Sequence, residues 1–346
     1  MKKLILSLAL LLSTLGIVAQ SSMKLTEGQP VFVYSLPKMV FSIDVEVEKT
    51  TQKPGQFYQH SERYLATNQV IKEEKTFFKL KSITLKPIAV PDPKRTYQIE
   101  AKGGKSDNFI TVDTRGILCG VNVPSPVEKP VKPIIAIESE NSESNSLLPL
   151  SEEYLMAGSS AKLAEGAAKQ IYRIRESRMT LLSGDMDNLP SDGKAFDSML
   201  KGLEKSEQEL TELFVGKKTI ERIKYNIHFT PDSAYSNRVL FRLSALRGLV
   251  DATDLGGSPY YISFDVEKTA ARFSSIKSKT ESTTLNTILP ANTKVTITDG
   301  VKALYTADFY VPQFGVVIPV SEQILATPKI KIKVDNLTGR MLEIER

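Results

Sequence analysis

FSIDVEVE, residues 41 to 48, alternates strictly between apolar and polar side chains. Phe41, Ile43, Val45 and Val47 fall on one side, and a serine or an acid stands at every position between or after them. Successive side chains of a strand point to opposite faces, so this period of two predicts a strand with one face on a core and the other in water. The stretch therefore predicts a β-rich fold for the sequence around it.

The same β-rich style continues through the N-terminal third of the chain. Further strands are predicted at TFFKLKSITL (76–85), TYQIE (96–100) and NFITVDTRGILCGVNV (108–123). The VPDP segment (90–93) predicts an extended turn, and TRG (114–116) predicts the turn of a hairpin. Residues 20–123 are therefore predicted to form an N-terminal antiparallel β domain, which holds one short helix at QFYQHSERYL (56–65).

The composition changes after residue 123. Prolines become frequent and are followed by ESENSESNS (138–146), which has no apolar residue to bury, so residues 124–150 predict a linker. Between residues 151 and 216 apolar residues recur at steps of three and four, which is the period of a helix. Because the two periodic stretches are separated only by SGDMDNLPSDG (183–193), they predict a central antiparallel helical hairpin.

The β pattern returns over residues 217–346, where short strands alternate with turn residues. Asp299-Gly300 is a strong signal for a two-residue hairpin, and the whole segment predicts an immunoglobulin-like β-sandwich. Its end, KVDNLTGRMLEIE (333–345), resembles TVDTRGILCGVN (111–122), which indicates either that the two closing hairpins belong to related β modules or that hairpin chemistry alone produces the likeness. The fold class predicted for the whole chain is therefore α+β.

The first nineteen residues have the pattern of a secretory signal. Lys2 and Lys3 precede an apolar run that is short for a membrane span, and small residues follow it. Residues 1–19 therefore predict export to the periplasm, the cell surface or the outside of the cell, with no membrane span after cleavage. The 45 basic and 40 acidic residues are nearly balanced, and this composition gives no reason to expect nucleic-acid binding. The single cysteine, Cys119, lies in an apolar run and is expected to be a buried, unreactive thiol.

The helix predicted at residues 56–65 contains the side-chain types of a catalytic triad in a row, His60, Ser61 and Glu62. On a helix, however, His60 and Glu62 point about 160° apart. A base and its orienting carboxylate must be within hydrogen-bond reach, so a local triad is excluded. The apolar face of the helix is expected to clamp it onto the first β-sheet through Phe57, Tyr58, Tyr64 and Leu65.

Metal and cofactor motifs are not found in the sequence. His228 falls on the polar side of a predicted strand, with no nearby histidine or cysteine. The loop between the predicted helices carries Asp185 and Asp187, but the glycine and the glutamate that a calcium-binding loop needs are not at their set positions. No phosphate-binding glycine loop or nucleophile elbow is present. We therefore predict no catalytic, metal or cofactor-binding residues.

Five residues are the candidates for an interaction surface. Arg178 lies on the apolar stripe of the first predicted helix, where an arginine at a packing interface is expected. Asp185 and Asp187 could offer oxygens in the helix-connecting loop. Sugar binding would use an aromatic platform, and Tyr260 and Tyr261 are the best candidates for one. Neighbours on a strand, however, point to opposite faces.

Five spaced motifs carry a resemblance to a known family. They are KPGQFYQHSERYL (53–65), VPDP (90–93), SRMTLLSGDMDNLPSDG (177–193), LFRLSALRGLVDATDLGG (240–257) and PQFGVVIPV (312–320). In these motifs the chain resembles a family of exported Bacteroides-type proteins described as a domain of unknown function. The resemblance implies an envelope or extracellular setting and no established activity.

The leading functional hypothesis is an exported, non-enzymatic binding or scaffolding protein of the bacterial cell envelope, with an envelope protein or a glycan as its partner. One alternative is a glycosidase-like hydrolase with remote paired carboxylates, since that chemistry has no fixed sequence spacing. Another is a module that recognises a glycan or a peptide without chemistry.

Overall fold

The structure, a computed structural model, describes residues 24–26, 29–100, 109–126, 158–184, 193–267 and 284–346. Within them, strands predominate, the sheets are antiparallel and helices are few. The prediction of a mixed fold with antiparallel sheets is therefore confirmed. The signal-like residues 1–19 and most of the predicted linker lie outside the described residues.

The first sheet is built on β2 (Gln29–Lys53), the strand that contains FSIDVEVE. Its other strands are β1 (Lys24–Thr26), β3 (Lys75–Glu100) and β6 (Lys217–Phe229). β2 pairs with β3 along nearly its whole length and with β6 on its other edge. Because β2 is the central strand, its alternation decides which face of this sheet is apolar.

The VPDP segment is part of a strand, so the prediction of a turn there is wrong. β3 runs through it without interruption, and Pro91 lies opposite Pro37 of β2 at a shift in the pairing register. Neither proline can donate a backbone hydrogen bond, and a bulge is where a sheet accommodates such residues.

The second sheet has the strand order β11-β10-β9-β7-β8. Its strands are β7 (Arg238–Ser244), β8 (Gly248–Val250), β9 (Ser258–Val266), β10 (Asn286–Thr298) and β11 (Ala303–Pro319). β10 and β11 form the hairpin predicted at Asp299-Gly300. The Asp299 carboxylate closes this turn by accepting hydrogen bonds from the backbone N–H groups of Val301 and Lys302, both at 2.9 Å.

The first two sheets enclose the largest described core. Phe41, Ile43, Val45 and Val47 are fully buried, as the alternation of FSIDVEVE predicts. The residues that they meet from the second sheet include Ile262, Phe264, Val295 and Ile297. The sandwich therefore needs β2 and β3 as much as the strands that follow the linker.

The third sheet brings together the two hairpins whose sequences are alike. Its strands are β4 (Ile110–Val112), β5 (Leu118–Val121), β12 (Lys331–Val334) and β13 (Met341–Glu345), in the order β13-β12-β5-β4. A second core lies beneath this sheet and includes Tyr34 and Leu36 from β2 and Ile332 from β12.

The helices are α1 (Ser61–Leu65), α2 (Ser160–Ser183), α3 (Gly193–Val215) and α4 (Glu322–Leu325). A 3₁₀ turn (Tyr58–His60) leads into α1. α2 and α3 pack on each other and on the 57–65 segment, around a third core that contains Phe57, Ile171 and Phe214. Gly184 ends α2 in a left-handed conformation, which glycine adopts readily at the C-terminus of a helix.

The sheets do not follow the predicted domain boundaries. β6 begins the segment predicted as the C-terminal sandwich, yet it pairs with β2. β12, near the end of the chain, pairs with β5. The finer layout of an N-terminal β domain, a helical hairpin and a separate immunoglobulin-like domain stays a prediction.

Candidate functional site

The segment at residues 56–65 packs on the helices, so the prediction that it clamps onto the first sheet is wrong. β2 ends at Lys53, and the chain turns toward α2 and α3. The Phe57 ring is buried with its centre 5.5 Å from that of Phe214, and its backbone N–H donates to the Leu213 carbonyl at 2.7 Å. The Tyr64 hydroxyl donates to the carbonyl of Ala161 at 3.2 Å. Hydrophobic spacing indicated three of the packed residues, Phe57, Tyr64 and Leu65, but Tyr58 is not part of this core, and the spacing did not indicate the element that covers the segment.

The three side chains that resemble a triad each face a different partner. The buried Ser61 hydroxyl donates to the carbonyl of Tyr58 at 2.8 Å. His60 Nε2 lies 3.4 Å from the hydroxyl of Ser160, on α2. Glu62 accepts a long hydrogen bond, 3.4 Å, from the Asn68 amide. This geometry provides no relay from Glu62 through His60 to Ser61.

The pair of helices α2 and α3, which we call the helical arm, is held together by salt bridges as well as by its apolar core. The Glu207 carboxylate of α3 accepts a hydrogen bond from Arg175 Nε at 2.6 Å and forms an ion pair with Arg178 Nη1 at 2.8 Å. The structure therefore places the candidate Arg178 between the helices, where its guanidinium neutralises a largely buried carboxylate.

Between the salt bridges of Glu207 and the loop that connects the two helices, the helical arm exposes apolar side chains. Met179 and Leu182 of α2 are 67% and 56% exposed, and Met199 of α3 is 45% exposed. Methionine side chains are flexible and polarisable, and they suit contact surfaces that adapt to a partner. The candidates Asp185 and Asp187 connect the two helices but lie outside the described residues.

The candidate tyrosines do not form a joint platform. The Tyr260 ring stacks on Phe241 with ring centres 4.8 Å apart, and burial raises the pKa of its hydroxyl. Tyr261 pairs with Thr298 of β10 and lies against the turn at Gly300. Neighbouring strand residues point to opposite faces, so a sugar ring cannot stack on both.

The turns at one end of the second sheet form a surface that the sequence analysis missed. This surface, which we call the loop end, comprises residues 245–247, 251–257 and 299–302, the connections from β7 to β8, β8 to β9 and β10 to β11. Each connection carries one aliphatic side chain that is almost entirely exposed: Leu246 at 77%, Leu255 at 83% and Val301 at 94%. The signal in the sequence is a lone aliphatic residue inside a polar turn, as in DATDLGG and TDGVK.

The aspartates of the loop end accept hydrogen bonds from groups within the loop end itself. A side-chain hydrogen bond from Arg247, at 2.8 Å, and the backbone N–H of Gly256 lower the pKa of Asp254. The N–H and hydroxyl of Thr253 lower the pKa of Asp251. The backbone N–H groups that cap the β10–β11 turn lower the pKa of Asp299. All three carboxylates are therefore held in the ionised form.

A groove of about 380 Å³ lies on the outer side of the third sheet. Cys119 and Val123 line it together with Lys331, Lys333 and Glu343. Cys119 is 4% exposed, as expected for a buried thiol. The acids that line the groove outnumber its two lysines by one, since Asp335 and Glu345 also line it, and Lys331 pairs with Glu345 at 3.3 Å.

Among the described residues, neither a metal-binding cluster nor a membrane-spanning helix is found. No three histidine, cysteine, aspartate or glutamate side chains come together there in a way that could hold a metal ion. In the same parts of the chain, every helix is too short or too polar to cross a membrane.

One protein family matches most of the chain. The model of the family described as a domain of unknown function, DUF4831, matches residues 31–342, which is most of the sequence. The chain belongs to this family. The DUF4831 match runs from β2 to β13 and so includes strands of all three sheets and the helical arm. No curated protein and no solved structure matches the chain.

Proposed function

We propose that this DUF4831 protein is an exported, non-enzymatic binding or scaffolding protein of the bacterial cell envelope, of the Bacteroides type that its motifs resemble. The observation that carries the binding role is the helical arm. Its base is fixed by the core around Phe57 and its middle by Glu207, while Met179, Leu182 and Met199 beyond them are exposed. A pair of helices that is fixed at its base and middle and exposes apolar side chains beyond them is suited to contact another macromolecule.

The charge state of the loop-end carboxylates argues against a glycosidase acid at this surface. Asp251 and Asp254 form a pair of acids, since the charge of Asp254 acts on the pKa of Asp251. A glycosidase needs one carboxyl group with a raised pKa to protonate the leaving oxygen. Hydrogen bonds lower the pKa of both residues, so neither is suited to be that acid.

Export rests on the signal-like residues 1–19, and it is tested by fractionation of cells. The full chain and a variant without residues 2–19 are expressed with the same C-terminal tag. We expect the full chain outside the inner membrane and the shortened variant in the cytoplasm. Cytoplasmic recovery of both would contradict the envelope setting.

Binding through the helical arm is tested by photo-crosslinking in the cell. A photo-reactive amino acid replaces Met179 in one variant and the similarly exposed Phe109 (65%) in the control. We expect one dominant crosslinked species from position 179, none at 109, and loss of that species when Leu182→Lys is added. Turnover of a panel of glycosides, esters and peptides by the purified mature protein would instead establish an enzyme.

A further inference from the structure

The loop end carries the three most exposed side chains among the large hydrophobic residues of the described chain. Leu246, Leu255 and Val301 are 77%, 83% and 94% exposed, and the next residue, on the helical arm, is Met179 at 67%. Single exposed apolar residues are common on protein surfaces. Three such residues at the tips of separate turns at one end of one sheet call for a reason. We propose that the loop end docks on a lipid membrane by inserting these three side chains into its interface.

The strand register shows that the three tips lie at the same end of the sheet. Leu243 of β7 pairs with Ser258 of β9, just before the turn with Leu246 and just after the loop with Leu255. Tyr261 of β9 pairs with Thr298 of β10, just before the turn with Val301. Neighbouring strands are about 4.8 Å apart, and the two pairings stand three residues apart along β9, about 10 Å, so the tips spread over roughly 15–20 Å. The side chains therefore form separate projections and not one continuous apolar patch.

One or two backbone N–H groups at or beside each tip have a hydrogen-bond acceptor within the turn. The Asp299 carboxylate accepts from the N–H groups of Val301 and Lys302. Asp254 accepts from the N–H of Gly256, next to Leu255, at 2.8 Å, and the Ser244 hydroxyl oxygen accepts from the N–H of Leu246 at 3.4 Å. A polar group that leaves water without a partner costs free energy. For these N–H groups, entry into the membrane interface does not carry that cost.

A lipid surface fits these tips better than a protein groove does. Protein interfaces favour aromatic residues, methionine and arginine in a continuous buried patch. The loop end offers isolated leucine and valine side chains instead, which a fluid interface surrounds one by one. Its charged residues are Arg247 and Lys302 against Asp251, Asp254 and Asp299, an excess of one negative charge. Docking must therefore depend on apolar insertion and not on attraction to anionic lipids.

The inference deepens the proposed envelope function by naming a lipid membrane as the partner of this surface. The experiment is flotation of the mature protein, residues 20–346, with vesicles of phosphatidylcholine and with vesicles of phosphatidylethanolamine and phosphatidylglycerol. The test variant is Leu246→Ser, Leu255→Ser and Val301→Ser together. The control carries the same number of exposed apolar-to-serine changes at the third sheet, away from both the loop end and the helical arm: Phe109→Ser, Leu342→Ser and Ile344→Ser.

We expect the wild type to float with both kinds of vesicle, and phosphatidylcholine to be bound at least as well as the anionic mixture. The test variant should lose at least about tenfold in partition coefficient, and the control less than about twofold. Absence of wild-type binding, unchanged binding of the test variant, or a preference for anionic vesicles that the test variant keeps would each overturn the proposal. If the flotation test fails while fractionation and crosslinking succeed, membrane docking is excluded and the proposed function still stands.

A fluorescent reporter locates the contact. The chain has no tryptophan, so Leu255→Trp introduces a single one at a tip, and Leu342→Trp introduces one at a 56% exposed position of β13. With phosphatidylcholine vesicles, we expect the emission of Trp at position 255 to shift to shorter wavelength and that at position 342 to stay unchanged. Equal behaviour of the two variants would overturn the assignment of the contact to the loop end.

Discussion

Gly120 shows how one residue fixes the contact between strands that are far apart in sequence. It lies in β5 with φ at +146°, and an added Cβ would overlap the carbonyl oxygen of Ile332 on β12. A side chain at this position would therefore strain the backbone and push the two closing hairpins apart.

We expect Gly120→Ala to lower the free energy of unfolding by about 3 kcal/mol. Gly116→Ala is the control, since Gly116 also has a positive φ, +83°, but an added Cβ would meet nothing within 4 Å. It should cost about 1–2 kcal/mol, from the backbone conformation alone. Urea unfolding of both variants checks this, and equal losses would show that the approach of β12 does not matter.

Tyr34 couples the second core to pH. Its hydroxyl oxygen accepts a 2.7 Å hydrogen bond from the backbone N–H of Asn286, and burial raises its pKa. The unfolded chain ionises this tyrosine near pH 10 while the folded chain keeps it neutral. The stabilisation from the neutral hydroxyl is therefore complete below about pH 10 and declines as the pH rises above it.

We expect Tyr34→Phe to cost about 1–3 kcal/mol at about pH 7, because the buried N–H of Asn286 loses this partner. At about pH 11 the difference from the wild type should be smaller, because only the wild type has lost stability through Tyr34. Urea unfolding at the two pH values measures both differences. A difference that is the same at both pH values would show that this tyrosine does not ionise differently in the two states.

At the scale of elements, the short segment at residues 56–65 decides whether the helical arm is anchored. Phe57 is 1% exposed and lies in the core between α2 and α3, whereas His60 is on the rim of that contact. We expect Phe57→Ala to cost about 3–5 kcal/mol and His60→Ala less than about 0.5 kcal/mol. Thermal unfolding followed by the helical circular-dichroism signal tests this. A large loss in His60→Ala would mean that the histidine has a role beyond packing.

Local patterns predicted the elements well and their partners poorly. FSIDVEVE indicated a half-buried strand, and Asp299-Gly300 indicated a hairpin, because both signals depend on adjacent residues. The sequence did not indicate that β6 pairs with β2, since strand pairing is a long-range contact that period-two alternation does not specify. The interaction candidates show the same division. Arg178 was recognised by its helical spacing, but the loop end depends on which turns meet at one end of a sheet.

At the scale of the whole molecule, the two closing hairpins belong to two similar arrangements. In one, the N–H of Ser35 on β2 donates to the carbonyl of Gly116 at 2.9 Å; in the other, the N–H of Ile288 on β10 donates to the carbonyl of Gly339 at 2.8 Å. β2 and β10 each begin a long hairpin with a register shift beside a proline, Pro37 and Pro290. The sequence similarity between residues 111–122 and 333–345 therefore extends to the structure of the strands that they contact, β2 and β10.

These arrangements interlock, and we expect neither half to fold alone. A fragment of residues 217–346 would lack β2 and β3, which cover Phe264 and Val295, and β5, which pairs with β12. It would therefore expose one face of its sheet to water, and the apolar burial that stabilises the sandwich would be lost. The fragment should show no cooperative thermal transition, in contrast to residues 20–346 under the same conditions. A sharp transition in the fragment would establish the autonomous C-terminal domain that its sequence pattern predicts, and the contacts with β2 would then be a docking interface between two folded units.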